Sequence, residues 1–81
     1  MRLIPCQSSS IAALGMNPDN DGEVVVQFTN GKFYRYFGVP SEVVLGVLFS
    51  ESQGAAFGRF IRDASYPFEI VEDTEALNLH V

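Results

Sequence analysis

Glu23-Val24-Val25-Val26-Gln27-Phe28-Thr29-Asn30-Gly31-Lys32-Phe33-Tyr34-Arg35-Tyr36-Phe37 decides the fold. Valine and aromatic residues dominate both halves, as β-strands favour, and Asn30-Gly31 between them is a hairpin turn signal. Two registers are open. A two-residue turn sets Val26 opposite Arg35 and puts Arg35 on one face with Val24, Phe28, Phe33 and Phe37. A three-residue loop, Thr29 to Gly31 with a glycine bulge, pairs Phe28 with Lys32, Val26 with Tyr34 and Val24 with Tyr36. The second register is preferred because it sends Arg35 away from the Val24, Val26, Phe28, Tyr34, Tyr36 face, where an unpaired guanidinium would be costly. It also leaves Phe33, Phe37 and Val25 beside Arg35. That second apolar face needs cover, from the helices or from another subunit.

Outward from the hairpin, Asn17 to Gly22 is dense in turn formers, and Ile11 to Met16 reads as a preceding strand that ends at Gly15. Gly38-Val39-Pro40 stops the return strand, Lys32 to Phe37. Ser41 reads as the N-cap of a helix to about Phe49, with Glu42 in its first turn. Ser52 caps a second helix, Gln53 to Asp63, and Ser65-Tyr66-Pro67 ends it. Phe68 to Val71 can add a short edge strand. The expected class is α+β: a three-stranded antiparallel meander followed by two α-helices. Residues 1–71 form one domain, and 72–81 an acidic, loose C-terminal tail.

Composition narrows the function classes. An 81-residue chain with 47% hydrophobic residues is one globular domain. A single cysteine, Cys6, excludes an internal disulfide. No apolar run approaches the ~20 residues of a membrane span, and Met1 to Ser10 does not read as a signal peptide, so a cytoplasmic protein is expected. The net charge is −5, with Glu69, Glu72, Asp73 and Glu75 in a C-terminal stretch that has no Lys or Arg.

Catalytic signatures are missing. His80, the one histidine, stands next to the chain end, where a general base is poorly held. Gly54-x-x-x-Gly58 lacks the Lys-Ser/Thr of a phosphate loop. Asp19-x-Asp21-Gly22 lacks the later Glu of a calcium loop. No metal, cofactor or enzymatic activity is expected.

Ser8-Ser9 before Ile11, Val24-x-Val26-x-Phe28-x-Asn30-Gly31-x-Phe33-Tyr34-Arg35-Tyr36, then Val39-Pro40, Leu48, Ser52-Gln53-Gly54, Phe57 and Ile61-Arg62 form an ordered series. Over about residues 8–67 the series resembles the KTSC domain family. That family includes a C-terminal extension of some lysyl-tRNA synthetases and free-standing small proteins of bacteria and phages. The resemblance implies a binding module, with RNA suggested as a ligand. A phage-encoded member would be suited to sequestering a host signal nucleotide. Met16, Val44 and Ala56 stand where aromatics are common in the family, and Gly58 where Asn is common.

Three features carry candidate chemistry. Tyr34 and Tyr36 lie on one strand face roughly 7 Å apart, where they can stack on bases or serve as core. Arg59 and Arg62, three residues apart, share a helix face and suit phosphate or carboxylate. Ser52-Gln53-Gly54 at a helix start can hold an anion or simply cap. The expected ligand site is Tyr34, Arg35, Tyr36, Ser52, Gly54, Arg59 and Arg62, for a small phosphorylated nucleotide or RNA. Net charge favours the small ligand, because each phosphate of a polymer needs its cation. The alternative is a protein-interaction or inhibitor module directed at a host protein, using Phe33, Phe37, Phe49 and Phe60. A short chain with apolar residues on both hairpin faces also suggests a homo-oligomer.

Overall fold

A computed structural model describes residues 1–77, apart from the side chain of Ala76. His80 lies outside the described residues. The class is α+β as expected, with more strands than the meander alone. Strands β1 (Ile4–Pro5), β2 (Ile11–Met16), β3 (Val24–Phe28), β4 (Phe33–Tyr36) and β5 (Phe68–Val71) form one antiparallel sheet in chain order. Helices α1 (Ser41–Leu48) and α2 (Gln53–Phe60) lie between β4 and β5 in the chain.

The hairpin takes the bulged register. Val24 pairs with Tyr36 and Val26 with Tyr34. The Phe28 amide donates to the Lys32 carbonyl at 2.9 Å, and the Gly31 amide to the Phe28 carbonyl at 2.9 Å. Gly31 has φ +90°, which a side chain would strain. Strand β2 holds a second bulge: Ile11 pairs with Phe28 and Ala13 with Gln27, so Ala12 is the extra residue. This irregularity lets Ile11 and Leu14, three apart, both enter one core.

That core lies between the sheet and the helices. Ile11, Leu14, Val24, Val26 and Tyr36 from the strands meet Val44, Val47, Ala56, Phe57 and Ile61. The helix caps differ from expectation. Pro40 holds the N-cap position of α1, Ser41 is already helical, and neither Ser41 nor Ser52 makes a side-chain cap bond. Helix α2 stops at Phe60. Ile61 leaves helical geometry (φ −120°, ψ −61°), and a 3-10 turn, Arg62–Ala64, follows. Buried Ile61 sits at the break, and its pull into the core accounts for the turned backbone.

Helices α1 and α2 do not cover the opposite sheet face. The two ends of the chain cover it: Met1 and Leu77 bury Val25, with Leu3, Phe33 and Val71 packed around them. A 3-10 turn, Thr74–Leu77, places Leu77 at 4% exposure, so the expected loose end is anchored at least that far.

Candidate functional site

Arg35 sits where the register sends it, on the face away from the main core. Strand pairing places Glu69 directly across from it, and its Nη1 donates to Glu69 Oε1 at 2.8 Å. Its Nε lies 3.5 Å from Glu23 Oε2, and that nitrogen is buried without a hydrogen bond. Glu23 is itself buried and accepts bonds from Asn17 Nδ2 at 2.9 Å and Asn20 Nδ2 at 2.8 Å. Burial acts to raise the Glu23 carboxyl pKa, but the two amides and the Arg35 charge outweigh it and hold it below the usual value. Arg35 therefore ties β4 to β5 and to the residue just before β3, a structural role.

Tyr34 and Tyr36 separate in role. Tyr36 is 3% exposed and meets Phe57 edge-on at 5.7 Å, which makes it core. Burial raises its phenol pKa, the nearby Tyr34 adds to the rise, and the Arg62 charge opposes it. Tyr34 is half-buried, and its ring is stacked near-parallel to that of Tyr36 at 6.5 Å. Phe68 of β5 lies near-parallel to Tyr34 at 5.7 Å and is 56% exposed. Phe28 closes the group, edge-on to Tyr34 at 5.0 Å. These rings line a cleft of about 350 Å³ together with Asn30, Lys32 and Arg62. Two cations stand at an aromatic wall, and no acidic side chain lines the cleft. Asp63 touches Arg62 Nε at 3.3 Å beside it, an exposed pair of little strength.

The other expected residues fall elsewhere. The break at Ile61 parts the two arginines: Arg62 lies over Gly58 and the cleft, whereas Arg59 lines a separate hollow with Ser50, Ser52 and Phe60. Gly54 faces the N-terminal loop, where an added Cβ would stand 2.6 Å from Ser8 Oγ. Gln53 extends the same junction, accepting from the Gln7 amide at 2.6 Å and donating to the Leu48 carbonyl at 2.9 Å. The Ser52-Gln53-Gly54 turn thus docks the start of the chain. Of the expected set, Tyr34, Tyr36 and Arg62 come together; Arg35, Ser52, Gly54 and Arg59 do not join them. Phe28, Asn30, Lys32 and Phe68 enter the site unforeseen. Phe68 and Ile70 on either side of Glu69 were a usable signal for Phe68, since their spacing sets both side chains on one strand face.

The profile of the KTSC domain matches residues 7–66. The chain belongs to the KTSC domain family. The KTSC match runs from the serine loop that docks on Gly54 through both helices and stops just before β5. An uncharacterized protein of Stutzerimonas stutzeri is 35% identical over 68 residues, spanning 84% of this chain and 94% of that one. The crystal structure of a KTSC domain protein from Yersinia pestis superposes with a TM-score of 0.74 at 28% identity, over 85% of this chain and 94% of the other. Among the described residues, no helix is long and apolar enough to cross a membrane.

Proposed function

We propose that this KTSC domain is a non-catalytic binding module whose cleft takes a small phosphorylated nucleotide. One observation carries the reading: four aromatic rings and two cationic side chains, Lys32 and Arg62, converge on one cleft that no acidic group lines. A base can stack against the Tyr34 and Phe68 rings, at ~1–3 kcal/mol for a stacked base. The phosphate then meets the Arg62 guanidinium, whose fork suits it, with Lys32 as a second charge. The side-chain nitrogens of Lys32 and Arg62 donate only, which matches an acceptor-rich, anionic ligand.

Charge weighs against long RNA as the ligand. The chain has five Lys and Arg against ten Asp and Glu. Arg35 is spent on Glu23 and Glu69. Two cations in one cleft suffice for a nucleotide but not for a polymer path. The role fits a cytoplasmic protein, and sequestering of a signal nucleotide in a phage setting is consistent with it.

Titration of a nucleotide panel by calorimetry, with Tyr34→Ala and Arg62→Ala alongside the parent, tests the reading. We expect both substitutions to weaken binding, and affinity to fall as salt rises. Binding that is unchanged in Arg62→Ala and insensitive to salt would overturn it.

A second reading, contact with a protein partner through the helices, rests on Phe49, which is 84% exposed, and on Phe60, which lines a shallow hollow with Val43 and Gly46. Phe33 and Phe37 do not contribute, being half-buried. A homo-oligomer through this helix surface belongs to the same reading. Pull-down with Phe49→Ser as the control distinguishes it.

A further inference from the structure

The two edges of the sheet are unlike. Strand β1 is two residues long and includes Pro5, both devices that discourage pairing. Strand β5 is four residues long, and no described strand lies on its outer side. Its backbone orientation follows from one bond. The Phe37 amide donates to the Pro67 carbonyl at 2.9 Å, so Phe37–Pro67 is a hydrogen-bonded pair of the β4–β5 ladder. Antiparallel pairs alternate. Arg35–Glu69 and Phe33–Val71 are then bonded pairs, whereas Phe68 and Ile70 turn their amides and carbonyls outward. Both also expose their side chains, at 56% and 54%.

We propose that the outer edge of β5 docks an extended peptide strand in which a basic residue is flanked by apolar ones. The outward groups of Phe68 and Ile70 supply the ladder bonds. The incoming residues opposite them lie on the same sheet face as those two side chains, and apolar groups fit there. The residue between them falls opposite Glu69 on the other face, where cross-strand side chains come closest, and a Lys or Arg there adds a second cation to a half-exposed carboxylate that Arg35 meets from β4. Glu72, Asp73 and Glu75 continue the acidic run, and Pro67 to Leu77 holds no Lys or Arg.

The same geometry disfavours a second copy of the chain. An antiparallel β5–β5 pair that satisfies both outward residues has its two-fold axis at Glu69, which sets the two Glu69 carboxylates directly opposite each other. Like charges so placed are destabilising. The two readings share the Phe68 ring but differ in their other groups: this proposal needs the outward backbone of Phe68 and Ile70 and the Glu69 carboxylate, the nucleotide reading Tyr34, Lys32 and Arg62, so each can fail alone.

The full chain, labelled with ¹⁵N, is titrated with three capped peptides and followed through its amide resonances. The first is Thr-Val-Lys-Val-Thr, the second has Glu for Lys, and the third has both valines N-methylated. We expect the Lys peptide to shift the Phe68 and Ile70 amides, and the Glu peptide to bind about tenfold more weakly, the swing from an attractive to a repulsive cross-strand pair. The N-methylated peptide should not bind, because its missing N–H groups are those that meet the β5 carbonyls. Ile70→Pro removes an outward amide and no β4–β5 bond, and it should lose the Lys peptide too. The N-methylated peptide makes the same test on the unaltered protein. Absence of shifts with the Lys peptide, or equal affinity for all three peptides, would overturn the proposal.

Discussion

Replacing Glu23 by Ala should cost the domain about 2–4 kcal/mol, and the structure says where each part comes from. The carboxylate accepts two amide bonds, from Asn17 at 2.9 Å and Asn20 at 2.8 Å. Both asparagines reach solvent and can turn to water, so each bond counts at the low end, ~0.5–1 kcal/mol. Arg35 Nε is different. It is buried without a hydrogen bond, 3.5 Å from Glu23 Oε2, so Glu23 stabilises it through charge. Loss of Glu23 as charge partner adds ~1–2 kcal/mol, the low part of the range for a buried donor left alone, because Glu69 still holds Nη1. In a domain of this size each kcal/mol moves Tm by about 4–8 °C, so the shift should be readily measured by circular dichroism. The pH dependence has a definite sign. The folded Glu23 carboxyl lies below its ordinary pKa, so its contribution is full above the unfolded value of about 4.3 and is lost as pH falls through the folded one. The gap in Tm between parent and Glu23→Ala should therefore narrow in acid. Glu23→Gln should retain part of the stability at neutral pH and show a weaker acid dependence than the parent. A Glu23→Ala protein within ~0.5 kcal/mol of the parent at pH 7, the usual scatter for a surface change, would refute this view of the network.

Leu77→Ala should destabilise by about 2 kcal/mol, the low end for a buried leucine because its cluster is small, and denaturant unfolding would show it. No loss would mean that the terminus does not close the second face. Gly58→Ala should raise helix stability by up to about 1 kcal/mol yet weaken nucleotide binding. Its new Cβ would stand 2.8 Å from Arg62 Nη2 and push the guanidinium off its seat, as paired melting and calorimetry would detect.

The hairpin was legible because one charged residue among apolar ones discriminates between registers, and Arg35 supplied that discrimination. Both helices were legible from their flanking Pro and Ser residues, although the serines do not cap. Strand β1 was not, since Ile4-Pro5 carries no alternation and exists only by pairing with Ala13 and Leu14. The β2 bulge hid in the same way: Ile11 and Leu14 look out of phase until the extra residue is placed. Cover of the Val25 face by Met1 and Leu77 joins opposite ends of the sequence, and no local pattern reports it. The site suffered most from the break at Ile61. A helix continued to Asp63 would have kept Arg59 and Arg62 on one face, and neither Gly nor Pro marks its earlier end. Tyr34 and Tyr36 were correctly read as neighbours on one face, but only the third strand partner, Phe68, shows that Tyr34 is the ring facing the cleft.

The most direct test of the nucleotide cleft is amide chemical-shift mapping of the full chain against a panel of nucleoside monophosphates at low salt. We expect at least one member to shift resonances of Phe28, Tyr34, Arg62 and Phe68 together, and the shifts to fade as salt is raised. A panel that moves none of them, or moves only residues around Phe49 and Phe60 on the helices, would contradict the assignment of that cleft as the binding site.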